Sequence, residues 1–250
     1  MLIQLNFLGN YLNDTTEEQL NLLDEKLQPV DLKDLRKPKY RDVEKFFESL
    51  DLKTRDEYID YWERVKPKNS SGVFQRWLFA FMSVHTSWKT NVTGYNAIKD
   101  WWRWVNKEDD LKERIQKSGA GMHNNRTKYI TEFAKDFWEN IDSFEKASDE
   151  SWTAYRNRLQ KRILGLGPAK TSFSLELCFP NEAYVACMDT HLFQVYGLDQ
   201  AKDLRKYEEI ESHWLDMSRM WNIPPYIARC IYWDKKQNKS DSRYWSYVLE

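Results

Sequence analysis

The sequence predicts an all-α protein, and three observations carry that prediction. Only 8 glycines and 7 prolines interrupt its 250 residues. Apolar residues recur at helical spacing almost throughout, and the one strand-like run, Ala183–Cys187, is too short and isolated to imply a sheet. Two capping-box patterns, Thr15-x-x-Glu18 and Thr54-x-x-Glu57, mark helix starts.

Taken in order, these boxes open helices at Glu17–Leu27 and Arg55–Val65, with Arg41–Leu50 between them, each charged on one face. Breakers concentrate in Lys66-Pro-Lys-Asn-Ser-Ser-Gly72 and place a lobe boundary near residue 70. The following run, Val73–Val84, is so dense in Phe, Trp, Leu and Met that its helix is expected to be buried nearly all round. Further helices are predicted at Tyr95–Val105, Asp110–Lys117, Asn125–Trp138 and Glu150–Ile163, separated by Gly119-Ala-Gly121 and by a polar stretch before Trp152. Their short links imply a compact bundle. Lys206–Trp221 and Pro225–Lys235 follow, divided by Asn222-Ile-Pro-Pro225, since proline starts a helix well and cannot continue one. The cluster Trp101-Trp-Arg-Trp104 is expected to bury its rings with one exposed, and no stacking function is assigned to it.

Composition narrows the function. Lys and Arg number 38 against 39 Asp and Glu, a net charge of -1 that argues against indiscriminate coating of nucleic acid but allows a local basic patch. Cys178, Cys187 and Cys230 are odd in number and lack C-x-x-C spacing, so neither a disulfide framework nor a four-cysteine metal or iron-sulfur site is encoded. His123, His191 and His213 lack metal-ligand spacing, and no metal is predicted. No run of 18 apolar residues occurs, and Met1 to Asn10 is too short and lacks the basic start of a signal peptide. The expectation is a protein of a reducing, intracellular compartment with no membrane partner, whether cytoplasm, nucleoid or nucleus.

The chemistry concentrates in Leu159-Gln-Lys-Arg-Ile-Leu-Gly-Leu-Gly-Pro-Ala-Lys-Thr171, a basic helix, a turn with two glycines and a second helix opened by Pro168. This pattern is a helix-hairpin-helix. Gly165 and Gly167 are expected to permit backbone conformations closed to other residues and to let a ligand approach the main chain. Outward amides at the start of the second helix, Ala169 among them, then make an anion site suited to a DNA phosphate. Residues 151–170 carry Arg156, Arg158, Lys161, Arg162 and Lys170 with no acidic residue, which supplies the local basic patch. Downstream, in Val185-Ala-Cys-Met-Asp-Thr-His-Leu192, Asp189 precedes an apolar-periodic helix that it can cap.

Together the two segments resemble the helix-hairpin-helix superfamily of DNA glycosylases, whose motif is L-x-G-x-G-x-x-K/T followed about twenty residues later by V-D-T-H. The matching residues are Leu164, Gly165, Gly167, Lys170, then Asp189, Thr190 and His191. The likeness extends through Phe79-Ala-Phe-Met-Ser83 and Gly121-Met-His-Asn-Asn-Arg-Thr-Lys-Tyr-Ile130, over about residues 72–200. It implies two all-α lobes: a central one, residues 72–187, that holds the hairpin (about 155–178), and a second formed by residues 1–71 with 188–250. It also implies that Lys170 and Asp189 are the catalytic pair, facing each other across the cleft. A lysine at this place is similar to the bifunctional branch, endonuclease III and the 8-oxoguanine glycosylases. Its neutral amine attacks the anomeric carbon, and the resulting Schiff base allows β-elimination of the 3′ phosphate. Asp189 then stabilises the cationic sugar and helps to move the lysine's proton.

The same resemblance assigns phosphate contacts to Gly165, Gly167, Ala169, Lys161 and Arg162. It places His85 and Met122 as the residues that fill the hole left by a flipped nucleotide. Two departures bear on substrate. The four-cysteine cluster of endonuclease III is not expected here, so no cofactor is. Trp221-Asn-Ile-Pro-Pro-Tyr-Ile-Ala-Arg-Cys-Ile-Tyr-Trp233 looks like the closing helix of the 8-oxoguanine glycosylases, with Arg229 in place of the glutamine that contacts the base edge and Trp233 in place of the stacking phenylalanine. Arginine only donates, so an altered base is implied. The expectation is a monomeric glycosylase and AP lyase acting on duplex DNA with an altered base or abasic site. A monofunctional glycosylase and a non-catalytic DNA-binding module are the other readings of the same residues.

Overall fold

A computed structural model describes residues 36–237 of the chain. The predicted helix Glu17–Leu27 and its Thr15 capping box lie outside them. The compact unit that begins at Pro38 is all-α over its described residues. Its helices are α1 (Tyr40–Glu48), α2 (Leu52–Val65), α3 (Ser70–Met82), α4 (Trp88–Ile98), α5 (Glu108–Lys117), α6 (His123–Glu139), α7 (Trp152–Arg162), α8 (Pro168–Cys178), α9 (Thr190–Val195), α10 (Tyr207–Met220) and α11 (Pro225–Lys236). No described helix is long and apolar enough to cross a membrane.

Local side chains set the helix starts, and they correct the expected boundaries: α3 begins at Ser70 rather than Val73 because the Asn69 side chain accepts from the Gly72 amide at 2.9 Å. The α2 helix begins before the expected Arg55 because Asp51 is its N-cap, accepting from the Thr54 amide at 2.8 Å and the Thr54 hydroxyl at 2.9 Å. The α4 helix begins at Trp88 rather than Tyr95, since Ser87 accepts from the Thr90 amide at 3.2 Å. It ends at Ile98, whose carbonyl accepts the Trp104 indole at 2.7 Å; Trp101–Arg103 is a separate 3-10 turn. Trp104 is buried, Trp101 stacks on Trp138 at 4.4 Å between centroids, and Trp102 is the exposed ring.

Packing forms two groups. The first centres on α3, which lies against α4, α6 and α8, with α5 on α4 and α6, and α7 on α8. Its core is aromatic: Phe74 stacks on Phe133 at 5.4 Å and touches Phe137, and Phe144 closes against both Phe133 and Phe137. In the second group α10 lies on α1 and α11, and α11 on α2. There Phe46 and Phe47 of α1 pack on Trp214 of α10. One continuous set of buried side chains joins the two groups, each large apolar residue contributing about 1.5–3 kcal/mol of transfer free energy.

The strand-like run Ala183–Cys187 is neither helix nor strand, and it pairs into no sheet among the described residues. Its buried backbone is satisfied by side chains instead. The Ala186 amide donates to Glu211 at 2.9 Å, the Cys187 amide donates to Glu176 at 3.0 Å, and the Tyr207 hydroxyl donates to the Ala186 carbonyl at 2.8 Å. Two buried arginines balance these carboxylates: Arg156 pairs with Glu211 and Arg229 with Glu176. The segment that leads into Asp189 is thereby clamped from α7, α8, α10 and α11.

Candidate active site

Alternating leucines build the hairpin between α7 and α8. Leu164 is exposed whereas Leu166 is buried, so the turn is pinned on one side and open on the other. Gly165 adopts φ +85°, a left-handed conformation, and a Cβ there would stand 2.3 Å from Cδ2 of Tyr129. Gly167 differs from the sequence expectation. Its φ of -80° and ψ of -179° are open to any residue, and among the described residues no atom beyond its own chain neighbours lies within 4 Å of where its Cβ would be. Among these residues nothing fills the space beside Gly167, and only a ligand's approach would require a glycine.

Gly167 is the N-cap of α8 and Pro168 its first residue; among the described residues no side chain caps this end. The amides of Ala169 and Lys170 therefore point from the positive end of the helix dipole with no capping acceptor. Lys170 stands in this first turn, its Nζ 5.5 Å from the centre of the Phe173 ring, and is half-buried. Among the described residues it forms no ion pair.

The basic patch needs correction. Arg156 is buried and bound to Glu211, with Nη1 also donating to Ser172 at 3.0 Å. Arg158 is bound to Glu150 at 2.8 Å and to the carbonyls of Ser143 and Glu145. Arg162, expected as a phosphate contact, is held two-handed by Asp136 and lies over the Phe144 ring at 4.5 Å. Its guanidinium is a buttress between α7 and α6, and it holds the Asp136 carboxyl below the usual carboxylate range. Lys161, which is exposed, and Lys170 are the cations of this stretch without such partners among the described residues.

Asp189 is the N-cap of α9, as its position implies. Oδ1 accepts from the amides of His191 at 2.9 Å and Leu192 at 3.0 Å, while Oδ2 accepts from the Trp233 indole at 3.3 Å. Trp233 also meets the His191 ring edge-on at 4.4 Å. Both carboxylate oxygens are thus oriented by the chain. Arg229 is neither at the surface nor open toward a ligand. It is 5% exposed, its Nε donates to Glu176 at 3.1 Å and its Nη2 to the other Glu176 oxygen, and its guanidinium lies over the rings of Phe173 and Tyr226. Burial opposes the Arg229 charge, but Glu176, together with smaller contributions from Cys187, Asp189 and Cys230, outweighs it and holds the guanidinium well above its ordinary value.

These groups form one neighbourhood. Phe173 has Lys170 and Arg229 over its ring. Burial pushes the Cys187 thiol up to about 12, with Arg229 and Lys170 pulling against Glu176 and Asp189. Phe173 thus links Lys170 of α8 to Arg229 of α11; Arg229 holds Glu176, which accepts the Cys187 amide two residues before Asp189, and Asp189 in turn accepts the Trp233 indole. Glu176 was not foreseen from sequence; the available signal was a single carboxylate inside the apolar run Phe173–Phe179.

His85 and Met122 belong to two turns elsewhere, after α3 and before α6. Both are exposed and both adopt left-handed backbone conformations, with φ 51° and 49°.

No family model matches the sequence, and no curated protein matches it. Solved structures do match the fold. The 8-oxoguanine DNA glycosylase of Methanocaldococcus jannaschii superposes with a TM-score of 0.62 at 20% identity, covering 80% of this chain and 94% of that one. The 8-oxoguanine DNA glycosylase of Thermotoga maritima gives 0.64 at 15% identity, covering 82% of this chain and 100% of that one. The all-α fold is therefore that of these glycosylases.

Proposed function

We propose that the protein is a DNA glycosylase that excises an oxidised base from duplex DNA and then cleaves the strand through a Schiff base on Lys170. The observation that carries this reading is Lys170 in the first, uncapped turn of α8 after a hairpin whose open face is Gly167, together with Asp189 fixed at the N-cap of α9 by the His191 and Leu192 amides. The shared fold with two 8-oxoguanine glycosylases supports the substrate class.

In the proposed reaction a phosphate of the damaged strand sits on the Ala169 and Lys170 amides, which fixes the register of the duplex. The target nucleotide turns out of the stack, and His85 and Met122 occupy its place. Trp233, half-buried beside Asp189, offers a ring face for the base. The unprotonated Lys170 amine attacks C1′ and the base departs with its bonding electrons and a proton. Asp189 stabilises the positive charge on the sugar, and its carboxylate needs no reorientation because both oxygens are already held. Opening of the sugar ring leaves an iminium between Nζ and C1′. Loss of a C2′ proton then expels the 3′ phosphate, and water returns the lysine. This sequence uses no cofactor.

The test is strand scission of an end-labelled duplex carrying 8-oxoguanine opposite cytosine. Cleavage without alkali, lost in Lys170→Gln, is the expected result. Cleavage only after alkali would remove the lyase step, and no base release from this or other oxidised bases would overturn the reading.

A further inference from the structure

Arg126, in the first turn of α6, is 3% exposed and lies between the two turns that carry His85 and Met122. Its Nη1 donates to the Phe81 carbonyl in the last turn of α3 and its Nη2 to the Val84 carbonyl in the turn that follows. Its Nε donates to the Gly121 carbonyl at 3.1 Å, and Nη2 also reaches the Ala120 carbonyl at 3.4 Å, both in the turn before α6. Among the described residues no carboxylate pairs with it, and burial pulls the guanidinium below its ordinary value. A buried charge answered only by main-chain carbonyls is a costly way to fill space, and an apolar side chain would fill it more cheaply. What the charge accomplishes is a tie between two turns about forty residues apart in sequence.

Those turns share a second feature. His85 and Met122 are two of the three non-glycine residues among the described ones with left-handed φ; the third is Asn222. An L side chain in that region is strained and persists only where its surroundings over-determine it. Arg126 holds the carbonyl of Val84, one residue before His85, and that of Gly121, one residue before Met122. Both strained residues are exposed, and Met122 presents an apolar, flexible side chain at 45% exposure.

We propose that Arg126 is a positioning residue that locks the two turns into one rigid edge, so that His85 and Met122 enter the duplex together when a nucleotide is flipped. This rests on the glycosylase reading above. Arg126 touches neither the substrate nor the reacting atoms; it acts through the carbonyls it holds. A lysine keeps the charge but, as a point donor, cannot span carbonyls on both sides of a planar fork. The clamp matters only for a base that must be extruded, and a substrate already unstacked bypasses it.

The experiment compares the wild-type chain with Arg126→Lys, using Arg126→Gln as a second variant and thermal melting to confirm folding. Base excision is measured on an 8-oxoguanine duplex, strand cleavage on a single-stranded oligonucleotide with a preformed abasic site, and nucleotide extrusion by 2-aminopurine fluorescence. Arg126→Lys is expected to lose at least tenfold on the duplex and most of the fluorescence rise, while single-strand cleavage stays within about threefold of wild type. Equal loss on both substrates, or none on the duplex, overturns the proposal. Hydrogen exchange is the readout independent of chemistry: amides of residues 84–86 and 119–122 should exchange faster together in Arg126→Lys. A wild-type chain inactive on every substrate removes the glycosylase reading, whereas unchanged exchange in the variant removes the clamp.

Discussion

The two hairpin glycines respond differently to the same substitution, and the difference can be worked out from their surroundings. In Gly165→Ala the new Cβ meets the Tyr129 ring at 2.3, 2.7 and 2.9 Å, and the residue must hold φ +85°. The left-handed conformation costs about 1–2 kcal/mol, and forcing the ring aside about 1–3 kcal/mol. The sum is about 2–5 kcal/mol. At roughly 2–4 °C per kcal/mol for a chain of this size, melting should fall on the order of 10 °C. Adding Tyr129→Ala should recover the steric share and leave the conformational one. Gly167→Ala meets no atom of the described residues beyond its own chain neighbours and keeps an ordinary backbone, so its stability should change by about 1 kcal/mol or less. Its Cβ instead stands where a phosphate must approach the α8 amides. A hydrogen bond to a charged group contributes about 1.5–3 kcal/mol, so affinity for a duplex with an abasic-site analogue should fall roughly tenfold to a hundredfold. Circular dichroism melting and fluorescence anisotropy at fixed salt measure the two quantities. The reasoning is refuted if Gly167→Ala melts several degrees low, or if it binds DNA as wild type does.

Three further outcomes follow from the charges and the core. Since Arg158 is committed to Glu150 and Lys161 has no ion pair among the described residues, Lys161→Ala should reduce the slope of log affinity against log salt by about one, while Arg158→Gln leaves it unchanged; anisotropy titrations across salt concentrations decide this. His213 lies 3.0 Å from the Tyr196 hydroxyl, and burial holds its imidazole below 6.5. The unfolded chain therefore binds the proton first, so stability present above pH 6.5 is lost as pH falls below it, by up to about 1.4 kcal/mol per pH unit, and denaturant titrations of His213→Gln should lack that loss. Burial pushes the Cys178 and Cys187 thiols up to about 12 and the Cys230 thiol higher. None should react with a disulfide reagent at pH 8 in the folded chain, and all should react in denaturant; fast native labelling at any of the three contradicts the packing described.

What could be read from sequence was local. The Asp189 cap, the left-handed turn at Gly165, the buried α3 helix and the start of α11 at Pro225 each depend on a few neighbouring residues, and the structure places them as expected, whereas Gly167 keeps an ordinary backbone. The boundaries of α2 and α4 were missed because a capping aspartate and serine compete with other candidates a few residues away. The basic stretch 151–170 misled for a non-local reason. The acids that neutralise Arg162 and Arg156 lie 26 and 55 residues distant, and Glu176 reaches Arg229 across 53. A charge run in sequence says nothing about which partners the fold will bring to it. The same holds for Arg126, whose carbonyl partners Phe81 and Val84, at and after the end of α3, are not encoded in any spacing.

The central claim is that the Lys170 amine forms a covalent bond to the sugar. Borohydride trapping on a duplex carrying 8-oxoguanine, with Lys170→Ala beside the wild type, tests it most directly. The account predicts a protein–DNA adduct that appears only with the lesion or an abasic site and disappears in the variant. Base release without any trapped adduct, or an adduct undiminished in Lys170→Ala, would contradict it.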